Sequence, residues 1–352
     1  MFIRKKSIRP FLEYLAWKYD NNVYVPTGAR FELFSDKFKK KNNSQEKNKV
    51  KMDLDCKTMF SAKKLFLPPR EVLFEFGPDD KGNPIPKQAK MESRYTVLFG
   101  ARPCDLNAIK YMDMIFKDDP YYTARRSNII IIGLQCESPS LFKNCYCHYT
   151  GTFFTDKYDI LLVKSRYGKE PVYLAKAGSI RGEGLLATKF FSYKGMGDTF
   201  EKAMARVRKS YEKSVQGKVQ GSKPVLKAEG SISDAVIKQF AKDCYSCTAC
   251  TSVCPTCHSF MIEDELDLDR KSGRRVRKWD SCQLIRYTRV SGNNVFRPTR
   301  EQRVRQRIMC KFRYSQEDQG MMACTGCGRC IDVCNKDIDI FKVFRGNAES
   351  RQ

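Results

Sequence analysis

The sequence predicts an α+β protein in which a mixed α/β domain, residues 1–227, precedes an all-helical domain, residues 228–352. Three observations carry that prediction. Two apolar runs of strand length, YTVLFG (95–100) and SNIIIIGLQC (127–136), flank a segment with helical periodicity. The Gly-, Lys- and Pro-rich stretch GKVQGSKPVLKAEGS (217–231) reads as a linker. Beyond it stand two cysteine runs, and the interval between them holds the helical pattern of 298–313.

The elements follow in order. MFIRKKSIRPFLEYLAWKYD has apolar residues at helical spacing, which predicts a first amphipathic helix. VYVP (23–26) and FELF (31–34) are short strands, and KKLFLPPREVLFEF (63–76) is an extended run broken by Pro-Pro. After the strand YTVLFG, Pro103 suits the first turn of a helix in which Leu106, Ile109, Met112 and Ile115 repeat. With SNIIIIGLQC this gives a right-handed crossover in a mixed or parallel sheet. DILLVKS (159–165) and PVYLAK (171–176) add strands, and FEKAMARVRKSYEKSV begins a helical, basic stretch. SDAVIKQFAKDC is a helix with Ser233 as its N-cap.

Composition narrows the class. The chain has 352 residues, 41% apolar, 12% aromatic, sixteen cysteines and a formal charge of +25. No apolar run reaches membrane-spanning length, and the N-terminus lacks the pattern of a secretory signal. That many cysteines in a long chain expected to be cytoplasmic point to metal or redox chemistry rather than disulfides. The charge concentrates in the Lys/Asn-rich insert 37–51, in RKSGRRVRK (270–278) and in EQRVRQRIMCKFR (301–313). No nucleic-acid-binding signature accompanies it. On 301–313, Arg303, Arg307 and Lys311 form one basic helix face, which reads either as solvated or as a dock for an acidic partner.

The cysteine spacing carries the chemistry. CYSCTACTSVCP places Cys244, Cys247, Cys250 and Cys254 in the C-x₂-C-x₂-C-x₃-C-P form of a [4Fe–4S] ligand run. CTGCGRCIDVCN repeats it with Cys324, Cys327, Cys330 and Cys334, Asn335 replacing the proline. In two-cluster ferredoxins the fourth cysteine of each run serves the other cluster. One cluster is therefore expected on Cys244, Cys247, Cys250 and Cys334, and the second on Cys324, Cys327, Cys330 and Cys254; zinc is the structural alternative.

A third group lies in the first half. Cys104 follows one buried strand and Cys136 ends the next, while Cys145 and Cys147 lie in the loop that begins at Cys136. If the strands are parallel neighbours, the thiols emerge where α/β sheets place ligands, beside a helix N-terminus that favours an anionic cluster. A third [4Fe–4S] cluster, a zinc site and ordinary buried thiols all remain open on spacing alone. Cys56 and Cys310 read as ordinary thiols, and His148 and His258 as neighbours of ligands or surface residues.

ARPCDLNAI, GLQCESPSLFKNCYCHYTGT, CTSVCPTC, WDSCQ, FRPTREQRVRQRI and CTGCGRCIDVC occur in this order between about residues 60 and 340. In that order they resemble the iron–sulfur protein family that contains the β subunit of cytosolic NiFe (sulf)hydrogenases and an iron–sulfur subunit of anaerobic sulfite reductase. The resemblance implies an electron-transfer subunit with no substrate site of its own. It would stand between a partner subunit that binds FAD and NAD(P)H and a terminal catalytic subunit. It also implies cluster ligands at Cys104, Cys136, Cys145 and Cys147. Cys257 and Cys282 match family cysteines too, whereas the 37–51 insert and the high charge depart from the pattern.

No G-x-G-x-x-G stands at a strand–helix junction, and GMGDTF (195–200) is too short to replace it. Flavin and nicotinamide are thus expected on the partner chain. Two other readings stand beside the relay. One is direct reduction of a sulfur or disulfide substrate at a cluster beside Cys257 or Cys282; the other is an iron–sulfur nucleic-acid-binding protein.

Overall fold

A computed structural model describes residues 1–18, 22–34, 50–88, 95–139, 141–193, 197–216 and 232–345. Nearly all of the Lys/Asn-rich insert, the whole linker 217–231 and the start of GMGDTF lie outside the described residues.

The chain opens with β1 (Phe2–Arg4) and α1 (Lys5–Lys18), whose Ile8, Phe11, Leu12 and Leu15 are all buried. β2 (Asn22–Pro26), β3 (Phe31–Leu33), α2 (Lys63–Phe66), β4 (Arg70–Pro78) and β5 (Pro84–Gln88) follow. The central unit is β6 (Thr96–Ala101), α3 (Pro103–Ile115), α4 (Pro120–Ser127) and β7 (Ile129–Leu134). Then come α5 (Cys147–Thr150), β8 (Ile160–Tyr167), β9 (Glu170–Ala177), α6 (Ile180–Leu186) and α7 (Phe200–Gln216).

Seven strands form one mixed sheet in the order β1-β9-β8-β7-β6-β2-β3. The pairs β2–β6, β6–β7 and β7–β8 are parallel, and the outer pairs β1–β9, β8–β9 and β2–β3 are antiparallel. Both faces are covered, which is why β6 and β7 read as unbroken apolar runs. Along β7 the side chains alternate. Ile130 and Ile132 pack on the α1 side, while Ile129 and Ile131 join Leu106, Ile109 and Met112 of α3. Each fully buried aliphatic side chain contributes about 1.5–3 kcal/mol. Gly133 lets α3 approach this closely, since a Cβ there would lie 2.6 Å from Leu106 Cδ1.

The C-terminal part begins with α8 (Asp234–Asp243), where the Ser233 hydroxyl accepts from the Val236 amide as an N-cap should. It continues through α9 (Ala249–Ser252), β10 (Phe260–Leu266), β11 (Gly273–Trp279) and α10 (Arg300–Met309). A π-helical turn, Cys310–Tyr314, joins α10 to α11 (Ser315–Gln319), and α12 (Arg329–Asp332) and α13 (Lys342–Arg345) follow.

The fold is α+β, but an all-helical C-terminal part does not describe it. β10 and β11 form an antiparallel hairpin whose second strand pairs with β4, giving a four-stranded sheet β10-β11-β4-β5. Opposite charges face each other across the hairpin. Asp264 faces Arg275 and binds it through two contacts of 2.8 Å, while Lys278 reaches Glu265 at 2.6 Å and also Glu263. Buried Arg277 pairs with Glu71 and Asp119, tying the hairpin to the first half of the chain. The basic run 270–278 is thus largely neutralised by its own neighbours.

Candidate metal centre

Parallel pairing of β6 and β7 sets Cys104 and Cys136 side by side, each just past the carboxyl end of its strand. The loop after β7 returns Cys145 and Cys147 to the same place. All four thiols line one cavity of about 360 Å³, together with Arg102, Lys57 and Cys327. Burial pushes the Cys136 thiol up to about 11, and it raises Cys104, Cys145 and Cys147 as well. Neighbouring thiol charges add to the rise at Cys136 and Cys147, while Arg102 opposes it at Cys136 and Lys57 at Cys145.

Against this cavity lies the second cysteine motif. The Tyr146 amide donates to the Gly326 carbonyl at 2.7 Å, and the Thr152 hydroxyl donates to the Thr325 carbonyl at 2.7 Å. Asn144 Nδ2 donates to Asp332 at 2.8 Å, and Lys57 Nζ bridges the Cys327 carbonyl and Asp332, both at 2.8 Å. Gly326 (φ +62°) and Gly328 (φ +73°) permit the approach, because a Cβ at either would collide with the backbone of 144–147. Gly328→Ala should therefore cost about 1–3 kcal/mol in backbone strain alone and loosen this junction. Thermal unfolding and iron retention measured on the purified variant check it; an unchanged variant would show that the contact is slack.

The first motif lines a cavity of about 680 Å³ with Cys244, Cys247 and Cys250. Cys334 and Cys330 from the second motif reach the same void. Cys334 thus shares a void with the three thiols of the opposite run. On the other side, burial and then the charges of Cys327 and Cys254 push Cys324 up to about 12. Cys330 is raised in the same way by burial, with Cys327, Cys324 and Cys254 adding to it. The charge of Cys254 thus reaches Cys324 and Cys330 of the second motif. Among the described residues, no three His, Cys, Asp or Glu side chains close on a single metal ion; the thiols surround larger voids instead.

The basic face of α10 points inward, not to solvent. Arg303, Arg307 and Lys311 are 5%, 5% and 3% exposed, so the face is neither solvated nor an open dock. Arg303 is bound by the carbonyls of Gln283, Arg297 and Pro298. Arg307 donates to the Cys250 carbonyl at 3.3 Å and approaches Cys257 Sγ at 3.8 Å. Lys311 Nζ donates to Thr256 Oγ1 at 2.9 Å. Burial alone would lower the pKa of Arg307 and Lys311, but the thiol charges of Cys254, Cys257 and their neighbours outweigh it, so both stay cationic. Two buried cations among cysteines suit an anionic cluster.

The Cys257 thiol donates to Cys254, which lowers the Cys254 pKa, with Lys311 and Arg307 adding to the effect. Cys282 lies near Cys250 and meets Gln283 Nε2 at 3.6 Å. His258 sits between Tyr111 and Phe116, its Nδ1 3.1 Å from the Thr256 carbonyl oxygen, and burial holds it down to about 4, hence neutral. His148 packs on Tyr149 beside Cys147. Cys56 donates to the Asp53 carbonyl, and Cys310 lies on the π-helical turn.

The donor set fits [4Fe–4S] clusters on one further ground. The hydroxyls of Ser246 and Thr325 are buried and lack any hydrogen-bond partner among the described residues, and each belongs to one cysteine motif. An orphaned buried donor costs about 1–3 kcal/mol, and cluster sulfur is an acceptor that would remove that cost. Cysteine spacing singles out neither residue, because only burial reveals the missing partner.

Among the described residues no helix is long and apolar enough to cross a membrane. A family model described as a 4Fe-4S dicluster domain matches residues 243–338. Sulfhydrogenase 2 subunit beta of Pyrococcus furiosus is 30% identical over 313 residues, covering 85% of this chain and 87% of that protein. No solved structure matches.

Proposed function

The chain belongs to the family of iron–sulfur hydrogenase β subunits, and on that footing we propose that it carries electrons between two partner subunits. One binds FAD and NAD(P)H; the other is a terminal catalytic subunit of hydrogenase or sulfite-reductase type. Bound [4Fe–4S] clusters would supply one-electron storage. Cys244, Cys247, Cys250 and Cys334 would hold one, Cys324, Cys327, Cys330 and Cys254 a second, and Cys104, Cys136, Cys145 and Cys147 a third.

One observation carries the reading: the second motif touches both other thiol sets. Cys330 lines the cavity of the first motif, and Cys327 lines the cavity of the α/β sheet. That contact supports a linear order with the second motif in the middle. Lys57, Arg102, Arg307 and Lys311 offset the negative charge of thiolate-bound clusters and favour the reduced state. Cys247 is the exposed thiol of the first set, which supports that end as the one nearer a partner.

Iron and acid-labile sulfide should each come to about twelve per chain. About eight would remove the third cluster, and zinc in its place would make that site structural.

A second reading has one observation in its favour. Cys257 opens onto a polar cavity of about 470 Å³ lined by Lys63, Ser259, Trp279 and Asp280, next to Cys254. A sulfur or disulfide substrate there would make this chain reductive itself. Cys257→Ala in the purified complex separates the two: loss of sulfur reduction with electron transfer intact favours the second reading. Nucleic-acid binding loses the support of these two runs, because Arg275, Arg277 and Lys278 of the hairpin are ion-paired and Arg303, Arg307 and Lys311 are buried.

A further inference from the structure

The hydroxyls of Ser246 and Thr325 are the features that the relay reading leaves without a role. Ser246 stands between Cys244 and Cys247, Thr325 between Cys324 and Cys327. Ser246 takes a left-handed backbone conformation, φ +55°, and its amide donates to Cys244 Sγ at 3.3 Å. The same residue lines the cavity of the first motif, and its buried hydroxyl meets no acceptor among the described residues. Thr325 is 2% exposed; its carbonyl is bound by Thr152, but its hydroxyl is equally unpartnered. A buried O–H that the protein itself leaves unsatisfied must donate to something else for its burial to be tolerable.

We propose that Ser246 and Thr325 are positioning residues whose hydroxyls donate hydrogen bonds to sulfur atoms of the clusters held by their own motifs. The proposal rests on the cluster assignment above. A donor to sulfur stabilises the more negative, reduced state, so each hydroxyl raises the reduction potential of one cluster. Each acts on its own motif, so the two potentials are set independently. The motifs otherwise present similar thiol sets, and these two side chains give the chain a separate handle on each.

The test is an EPR-monitored redox titration of the purified native complex carrying Ser246→Ala or Thr325→Val, with iron counted on the same samples. Ser246→Ala should move one midpoint to a more negative potential and leave the others in place; Thr325→Val should move a different one. Ser246→Asn, a donor that tolerates the left-handed backbone, and Thr325→Ser keep a donor and should hold the midpoints near wild type. Unmoved midpoints in iron-replete apolar variants overturn the proposal. If an apolar variant loses iron, the donor-keeping variant must retain it; loss from both marks the hydroxyl as a packing group and likewise overturns the proposal. Wild-type complex with no iron in this chain would instead bring down the cluster assignment itself, which the iron count reveals before any midpoint is read.

Discussion

Arg329→Ala should destabilise the chain by about 3–5 kcal/mol, the cost of leaving one charge of a buried pair uncompensated. Arg329 and Asp105 are 0% and 2% exposed and meet through two contacts, 2.9 and 2.8 Å. The guanidinium also donates to the Thr58 carbonyl at 2.6 Å and to its hydroxyl at 3.2 Å. Three distant stretches of chain therefore converge on one side chain. Asp105 follows Cys104 on the first turn of α3, and Arg329 precedes Cys330, so the pair also sets how the second motif sits against the α/β sheet. Burial alone would lower the Arg329 pKa, but Asp105 and the nearby thiols Cys327 and Cys104 outweigh that and hold it cationic. Chemical denaturation of the iron-loaded protein measures the loss. The double variant Arg329→Met with Asp105→Leu should recover much of it, since no lone charge then remains buried. A loss below about 1 kcal/mol in the single variant, the range of an exposed pair, would mean that water reaches this site.

Cys334→Ala should empty the first motif, not the second. Iron is expected to fall from about twelve to about eight per chain. The thiols of Cys244, Cys247 and Cys250, which share a cavity with Cys334, should become open to alkylation. Cys324, Cys327 and Cys330 should stay protected, since the proposed second cluster keeps its own four ligands. Peptide mapping after iodoacetamide treatment reads the pattern directly. Alkylation of the second motif instead would mean that each run serves its own cluster. Cys56→Ala is the control and should change neither iron nor protection, since its thiol donates to the Asp53 carbonyl.

Much of the α/β part is legible in the sequence because its signals are local. Apolar runs identify β6 and β7, the Pro103 start identifies α3, and Ser233 caps α8 as its residue type suggests. The placement of Cys104 and Cys136 follows from parallel pairing, which the register of β6 on β7 bears out. The hairpin β10–β11 escapes such reading for a physical reason. Its basic strand looks like a free charge run, whereas it binds the acidic strand beside it and Glu71 from far upstream. The α10 face misleads for the opposite reason. A stripe of Arg and Lys reads as a wet surface, yet here buried thiols and carbonyls supply the partners that water would otherwise provide. The Arg329–Asp105 pair joins residues remote in sequence, and no local pattern announces such a contact.

The four-stranded sheet also bears on inheritance. β11 is hydrogen-bonded to β4, so strands encoded on either side of residue 228 are halves of one sheet. A gene segment carrying only the dicluster stretch would deliver β11 with one edge bare, and the remainder would leave the facing edge of β4 bare as well. Such edges invite aggregation. The dicluster stretch is therefore structurally completed by strands that lie far upstream in the chain.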